Sequence, residues 1–171
     1  DYALDPGDVI RDAGLYERLT EADWQGDTVV LDGVAYRRVG LDRAAGQKRA
    51  QHYGWAYDRP WHYFEISPIR WRVLDVQGER ALLLADRMID CVPFNAADED
   101  VAWQDCTLRS WLNGYGGGAN RAGMDFAGKG LIDLAFTDRE REAIVTTLCE
   151  NANNSTYGTD GGEDTRDNLL I

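Results

Sequence analysis

The feature that most constrains the fold is a hairpin signal at Asp32-Gly33. β-branched and aromatic runs flank it, over residues 28–31 and 34–39. Both turn residues tolerate the positive φ that a two-residue hairpin turn requires. The sequence therefore predicts that these two runs pair as antiparallel strands.

A second hairpin is predicted from residues 69–75 and 80–85, with a turn around Gln77-Gly78. The first arm alternates apolar side chains with arginines, which is typical of a half-buried strand. The second arm is continuously apolar, which predicts a strand covered on both faces. Residues 169–171 are also apolar and are predicted to open a further strand. Either the domain is truncated there or that strand ends a sheet.

Two short helices are indicated by their end signals. Asp105 is predicted to cap a helix that runs to Asn113, and Gly114 is placed to end it. The second helix is predicted to begin with a capping box at 137–140 and to run to about Leu148.

These elements predict a single α+β domain over residues 28–171, preceded by a polar lead-in at 1–27. Antiparallel hairpins would form a twisted sheet that carries the two short helices and long loops. The chain has 171 residues, 44% of them hydrophobic, which argues against a disordered protein.

The charge balance excludes some classes of partner. Thirty acidic residues outweigh 18 lysines and arginines, for a net charge of −12. A nucleic-acid backbone is bound by clustered cations, so no nucleic-acid partner is predicted. Membrane insertion is not predicted either, because no apolar run reaches the roughly 18–20 residues that span a bilayer.

Five segments, in this order and at this spacing, follow one pattern. They are residues 63–74, 81–86, 103–113, 135–144 and 158–171. Together they resemble a family of uncharacterised bacterial domains found in secreted or surface proteins of gut-dwelling Gram-positive bacteria. The resemblance implies an extracellular or cell-surface location, although the sequence carries no signal peptide at Asp1.

The layout of that family is distantly similar to the C-type-lectin-like fold, which sulfatase-modifying enzymes share. Such a likeness concerns fold alone and does not fix function. The family itself implies no activity.

Aromatic residues make up half of the segment 53–64, and they suggest a ligand-binding surface. Trp55, Tyr57 and Trp61 are the candidates, because aromatic rings stack on the apolar faces of sugars. The alternative is that these rings are buried under the preceding loop at the edge of the sheet.

A second set of candidate ligand-binding residues lies at and after the first predicted helix. Arg109 could grasp a carboxylate with its rigid fork of donors, and Asn113 could hydrogen-bond a ligand. Tyr115 would add contact surface from the glycine-rich loop at 114–130. Alternatively, Arg109 pairs with an acidic neighbour and Asn113 finishes the helix.

The acidic loop near the end of the sequence suggests a metal site. Its candidate ligands are Asp160, Glu163, Asp164 and Asp167. Oxygen ligands on a glycine-bearing loop suit Ca²⁺, the one cofactor that the sequence suggests. The alternative is a solvated turn whose side chains cap backbone amides.

The cysteines point away from a structural metal site. Cys91, Cys106 and Cys149 are an odd count without a C-x-x-C pair, so buried free thiols are expected. The alternative is one disulfide and a spare thiol. The predicted function is a non-enzymatic extracellular binding or adhesion module whose ligand is a glycan or a protein. Two alternatives stay open: an enzyme of the sulfatase-modifying oxidase type that uses a cysteine, and a structural spacer without a ligand.

Overall fold

A computed structural model describes residues 9–40, 56, 58–90 and 92–171. The chain divides into two compact units, residues 1–91 and 92–171, where the sequence predicts one domain from residue 28 onward. Antiparallel strands and short helices make up both units, so the predicted α+β class is confirmed. The described strands form three separate small sheets, however, and not the one twisted sheet that the sequence predicts. Among the described residues, no helix is long and apolar enough to cross a membrane.

The first unit contains helix α1 and a three-stranded antiparallel sheet in the order β1-β2-β3. The elements are α1 (Ala13–Glu21), β1 (Thr28–Leu31), β2 (Val34–Gly40) and β3 (Trp61–Glu65). The β1–β2 turn confirms the hairpin prediction, because Asp32 and Gly33 have φ values of 51° and 80°. Positive φ at both positions is the geometry of a type I′ turn.

The core of the first unit includes the segment predicted as a polar lead-in. Leu19 of α1 is fully buried, and it forms one cluster with Tyr36 of β2 and Tyr63 of β3. The Trp24 ring stacks on the Tyr63 ring at 5.3 Å between centroids, and its Nε1 donates to the Leu19 carbonyl at 2.7 Å. Ile10 also packs against this cluster. Residues 10–24 are therefore an integral part of the first unit.

The second hairpin forms as predicted, but neither arm is buried as predicted. The first arm, predicted to be half-buried, is exposed throughout residues 71–77. Strands β4 (Trp71–Gln77) and β5 (Arg80–Ala85) pair around Gly78, which has a φ of 60°. Leu82, Leu83 and Leu84 are 59%, 47% and 52% exposed, so the prediction of a strand covered on both faces is wrong. Within the described residues, β4 and β5 pair only with each other, and no further strand extends the sheet over them.

The second unit consists of short helices and one small antiparallel strand pair. Its elements are two 3₁₀ turns (Trp103–Asp105 and Gly117–Ala119), α2 (Thr107–Asn113), α3 (Leu131–Ala135), α4 (Asp138–Ala143), β6 (Thr147–Cys149) and β7 (Thr165–Asp167). Apolar side chains of α2 and α3 are buried together with the residue that precedes α2. These are Cys106, Leu108, Leu112, Leu131, Ile132 and Ala135.

Helix α2 ends as predicted but begins later. Gly114 adopts the left-handed conformation, with φ 65°, and caps the last turn. The prediction that Asp105 caps the helix is wrong, because Cys106 is the N-cap and its Sγ accepts a hydrogen bond from the Arg109 amide at 3.4 Å. Asp105 instead lies in the preceding 3₁₀ turn and pairs with Arg121 at 3.2 Å.

The capping box of α4 is confirmed, and the predicted length of the helix is wrong. The Thr137 amide donates to Glu140 Oε2 at 2.7 Å, and the Glu140 amide donates to Thr137 Oγ1 at 3.3 Å. The helix nevertheless stops at Ala143, because residues 147–149 pair with β7 as a strand. This strand falls inside the helix that the sequence predicts to reach Leu148.

The last strand also differs from the prediction. β7 covers Thr165–Asp167, whereas residues 169–171 are outside any strand. The Asn113 side chain holds the backbone of Asn168 and Leu169 through hydrogen bonds, so these amides are not available for strand pairing. The apolar composition of 169–171 therefore does not produce a strand here.

Candidate functional site

Two motifs that are far apart in the sequence meet in the second unit. Arg109 on α2 and Asp167 on β7 are 58 residues apart in the chain, and Arg109 Nε lies 2.8 Å and 3.1 Å from the two carboxylate oxygens. The Asp167 side chain is fully buried, and that of Arg109 is 14% exposed. A buried charge is tolerated only when it is paired and hydrogen-bonded, and this geometry meets that condition.

Three further donors complete the surroundings of the Asp167 carboxylate. Trp103 Nε1 donates to Oδ2 at 3.0 Å, Tyr115 Oη donates to Oδ1 at 3.1 Å, and Thr165 Oγ1 donates to Oδ2 at 2.7 Å. We call these four donors and their acceptor the Asp167 network. Each carboxylate oxygen therefore accepts at least two hydrogen bonds from protein donors.

The Asp167 network also affects Tyr115. Burial, followed by the negative charge of Asp167, raises the pKa of the Tyr115 hydroxyl above its usual value. The Arg109 guanidinium carbon lies 5.0 Å from the centre of the Tyr115 ring. Tyr115 therefore stays protonated at neutral pH and serves as a hydrogen-bond donor to the carboxylate.

Asn113 joins the end of α2 to the segment that follows β7. Its Oδ1 accepts from the amides of Asn168 and Leu169, both at 2.9 Å. Its Nδ2 donates to the carbonyls of Arg109 and Leu169, both at 3.1 Å. A side-chain amide has two donors and two acceptor lone pairs, so all of its hydrogen-bonding capacity is used.

Tertiary structure thus brings together three predicted ligand-binding residues, Arg109, Asn113 and Tyr115, with the predicted metal ligand Asp167. Their polar groups are engaged with one another or with the backbone. The pairing of Arg109 with an acidic side chain is the alternative that the sequence leaves open, and the structure contains that pair. Ligand binding by these residues stays a prediction.

The acidic loop holds the other predicted metal ligands. Asp160 Oδ1 accepts from the Gly162 amide, and Asp164 Oδ1 accepts from the Asn151 amide, both at 2.9 Å. The carbonyl of Glu163 accepts from the Asn151 side chain at 2.7 Å. In the part of the chain that the structure describes, no three His, Cys, Asp or Glu side chains converge as a metal ion requires. Calcium binding stays a prediction.

Cys106 is buried in the core of the second unit. Burial raises the pKa of its thiol, and the backbone hydrogen bond from Arg109 only partly opposes that effect. Cys149 is a half-buried free cysteine, and Cys91 lies outside the described residues. A thiol with a raised pKa holds little of the nucleophilic thiolate form at neutral pH.

The predicted aromatic surface is described only in part. Trp55 and Tyr57 lie outside the described residues. Trp61, the first residue of β3, is half-buried, and the Arg38 guanidinium carbon lies 4.4 Å from the centre of its ring. A cation at this distance over an indole face is attracted by the ring. One face of Trp61 is therefore covered by the protein itself.

The first unit has an open cavity of about 170 Å³ beside α1 and the start of β3. Its lining residues are Val9, Ile10, Arg11, Tyr16, Ala56, Arg59 and His62. Within the described residues, neither Arg11 nor Arg59 forms an ion pair. Of the described residues that line the cavity, two are cationic and none is acidic, although the protein has a net charge of −12.

The side chains of the cavity are held by specific contacts. The Arg59 guanidinium carbon lies 4.2 Å from the centre of the Tyr16 ring, and the Tyr16 hydroxyl donates to the Trp61 carbonyl at 3.0 Å. His62 is 2% exposed. Burial, and then the charge of Arg59, lowers the pKa of His62 to about 4, so the ring is neutral at pH 7.

Almost nothing in the sequence marks the residues that line this cavity. Arg59 lies inside the segment 53–64 that is singled out for its aromatic residues, but the pattern gives no reason to select it. Arg11 belongs to the supposed lead-in, and no motif marks it. The two arginines line one cavity because the Ile10 amide donates to the Tyr63 carbonyl and so holds the Arg11 segment beside β3.

Comparison with known proteins gives one family match. Residues 78–170, more than half of the chain, match the model of a family described as a domain of unknown function. No curated protein and no solved structure matches the chain. The matched region includes β5 and the Asp167 network, whereas the cavity residues precede it. The chain therefore belongs to the family described as Domain of unknown function (DUF6273).

Proposed function

We propose that this protein is a non-enzymatic binding module, and that its ligand is contacted by the first unit. The observation that carries the proposal is the open cavity lined by Arg11, Arg59, Tyr16 and His62. Ligand sites are concave, with apolar walls and a few polar groups that fix orientation. The cavity combines apolar walls at Val9, Ile10 and Ala56 with two guanidinium groups.

The second unit supports the proposal in a different way. Its most suggestive polar residues, those of the Asp167 network, make contacts within the unit. A fully satisfied buried polar network makes the surrounding structure rigid and unique. In the proposed module, the second unit is a stable structural body, and the ligand chemistry belongs to the first.

The cysteine-dependent enzyme remains the second candidate from the sequence, and its requirement is a reactive thiol. Such thiols have a lowered pKa and are accessible to solvent. Cys106 is buried, and its thiol pKa is raised. Cys106 therefore does not fit the role of the reactive thiol that such an enzyme requires.

The setting of the module is proposed from the sequence pattern. The segments at 63–74, 81–86, 103–113, 135–144 and 158–171 resemble domains of bacterial surface proteins. We propose an extracellular or cell-surface location and a glycan or protein ligand on that basis. The distant likeness to the C-type-lectin-like fold is part of the same proposal.

The proposal is tested by probing immobilised glycans and peptides with the whole chain and two charge-matched variants. Arg59→Gln removes one cation from the cavity. Arg70→Gln is the control, because Arg70 is exposed and lies outside the lining. We expect the first variant to lose at least tenfold in affinity for any ligand found, and the control to match the wild type.

Two results would count against the proposal. One is that no member of the panel binds the wild type, which favours the spacer. The other is that Arg59→Gln and Arg70→Gln bind equally well, which places the ligand elsewhere. Each assay is run in Ca²⁺ and in EDTA, and binding that needs Ca²⁺ would instead assign the acidic loop at 160–167 to the site.

A further inference from the structure

We infer that the cavity of the first unit binds the carboxylate of a sugar-sized ring, as found in uronic acids. This inference rests on the proposed function and names the chemical class of its ligand. It is carried by the two arginines that share the cavity and by the apolar walls around them.

The position of both arginines is fixed by the backbone near β3. The Ile10 amide donates to the Tyr63 carbonyl at 2.8 Å, which holds the segment that contains Arg11 against β3. Arg59 lies two residues before the start of β3, and its guanidinium group lies over the Tyr16 ring. Tyr16 in turn is fixed by its hydrogen bond to the Trp61 carbonyl. The cavity is thus formed by anchored elements.

The guanidinium group selects for oxyanions. It presents a planar fork of N–H donors that matches a carboxylate or a phosphate, and it remains charged at every physiological pH. Neither arginine is neutralised by an ion pair within the described residues. His62 is neutral at pH 7 and contributes a polar ring without a third charge.

One acidic residue moderates the cationic character of the site. Burial raises the pKa of Tyr16 most, and the charge of Asp58 adds to that effect, while the charge of Arg59 opposes it. Among the described residues, Arg11, Arg59 and Asp58 together carry a charge of +1 near the cavity. A ligand with a single negative charge is the matching partner.

The size and the walls of the cavity favour an organic carboxylate over an inorganic anion. A cavity of roughly 150 Å³ accommodates a benzene molecule, so about 170 Å³ has room for the ring of a sugar, whose hydroxyl groups would extend through the open side of the cavity. Val9, Ile10, Ala56 and the Tyr16 ring provide apolar surface. Inorganic phosphate would leave these walls without a partner, whereas the apolar face of a sugar ring would cover them.

The test is calorimetric titration of the whole chain with three probes: glucuronate, methyl glucoside and inorganic phosphate. Glucuronate and methyl glucoside share the ring and differ in the carboxylate. We expect glucuronate to bind at least tenfold more tightly than either of the other two. Equal binding of glucuronate and methyl glucoside would overturn the role of the carboxylate, and equal binding of phosphate would reduce the cavity to a general anion site.

Variants assign the interaction to the cavity. Arg59→Gln and Arg11→Gln should each weaken glucuronate binding at least tenfold, and Arg70→Gln should leave it unchanged. Arg11→Lys keeps the charge and removes the fork, so it should weaken binding less than Arg11→Gln does. Thermal melts of each variant establish that it is folded, and a folded Arg11→Gln chain with wild-type affinity would refute the inference.

The failure of this inference is distinguishable from the failure of the proposed function. If a ligand on the immobilised panel depends on Arg59 but glucuronate does not compete with it, the binding module stands and the carboxylate class falls. If no ligand depends on Arg59, both fall.

Discussion

Replacing Asp167 with asparagine is expected to be among the most damaging isosteric changes in the second unit. The side chain keeps its size and loses its charge and one acceptor oxygen. Arg109, whose side chain is 14% exposed, would then hold a largely buried positive charge without its partner. In addition, the asparagine NH₂ group, which is itself a donor, would replace an oxygen that now accepts hydrogen bonds from donors of the Asp167 network.

The size of the effect follows from the contacts of the carboxylate. Breaking a buried ion pair by removing one partner costs about 3–5 kcal/mol. The Arg109 contact at 2.8 Å to a fully buried carboxylate falls in this class. For a unit of this size, 1 kcal/mol lowers the melting temperature by roughly 4–8 °C, so the expected decrease is at least about 12 °C.

The assay is urea unfolding of the whole chain, followed by fluorescence and circular dichroism, with calorimetry to resolve the two units. Asp164→Asn is the matched control, because Asp164 accepts a single hydrogen bond from the Asn151 amide, which an asparagine oxygen can replace. The control should cost less than about 1 kcal/mol. A cost for Asp167→Asn as small as that of Asp164→Asn would refute the reasoning.

A double-mutant cycle separates the pair from the rest of the network. Arg109→Gln removes the charge that Asp167→Asn leaves unpaired, so the double variant should be more stable than the sum of the single effects predicts. The expected coupling is about 1–3 kcal/mol. Additive effects would mean that the 2.8 Å contact contributes little beyond its separate parts.

Three further predictions concern other residues. The pKa of His62 is about 4 in the folded chain and near 6.5 in the unfolded chain. The folded state therefore keeps its full stability above pH 6.5 and loses about 3 kcal/mol of it as the pH falls to 4 and the unfolded chain takes up a proton. Urea titrations over this range should show a shallower pH dependence of the free energy of unfolding for His62→Gln, and an unchanged slope would contradict the shift. In a variant with serine at the other two cysteines, Cys106 should react with a thiol reagent only as fast as the second unit unfolds, because the thiol is buried and its pKa is raised. A rapid reaction of the folded chain would instead favour the oxidase alternative. Gly33→Ala should destabilise the first unit by about 1–2 kcal/mol, because Gly33 has a φ of +80°. Gly14→Ala in α1 should stabilise the unit by about 0.5–1 kcal/mol, because a Cβ there meets only ordinary contacts. A lower melting temperature for Gly14→Ala than for Gly33→Ala would contradict the turn assignment.

Local chemistry made several elements predictable from the sequence. The Asp32-Gly33 turn, the Gly114 cap and the capping box of Thr137 and Glu140 all form where the sequence predicts them. Each depends on the φ preference of one or two residues or on a hydrogen bond across three positions. Such signals are complete within a few residues.

Local signals failed where an element competes with a distant partner. Residues 147–149 continue a helical pattern, yet pairing with β7 makes them a strand. Residues 169–171 are apolar like a strand, yet Asn113 binds the backbone at 168 and 169. Tertiary contacts are worth more than the weak intrinsic preference of a short segment.

The candidate sites show the same division. The sequence alone determined the α+β class, the two hairpins and the choice of candidate binding residues, including Arg109 and Asp167. Only the tertiary structure decided that these two are partners across 58 residues, and that Arg11 and Arg59 share a cavity. The physical reason is that charge pairing and cavity shape depend on distances in space. Those distances are set by the packing of α1 against the sheet and of α2 against β7, and no local sequence pattern encodes them.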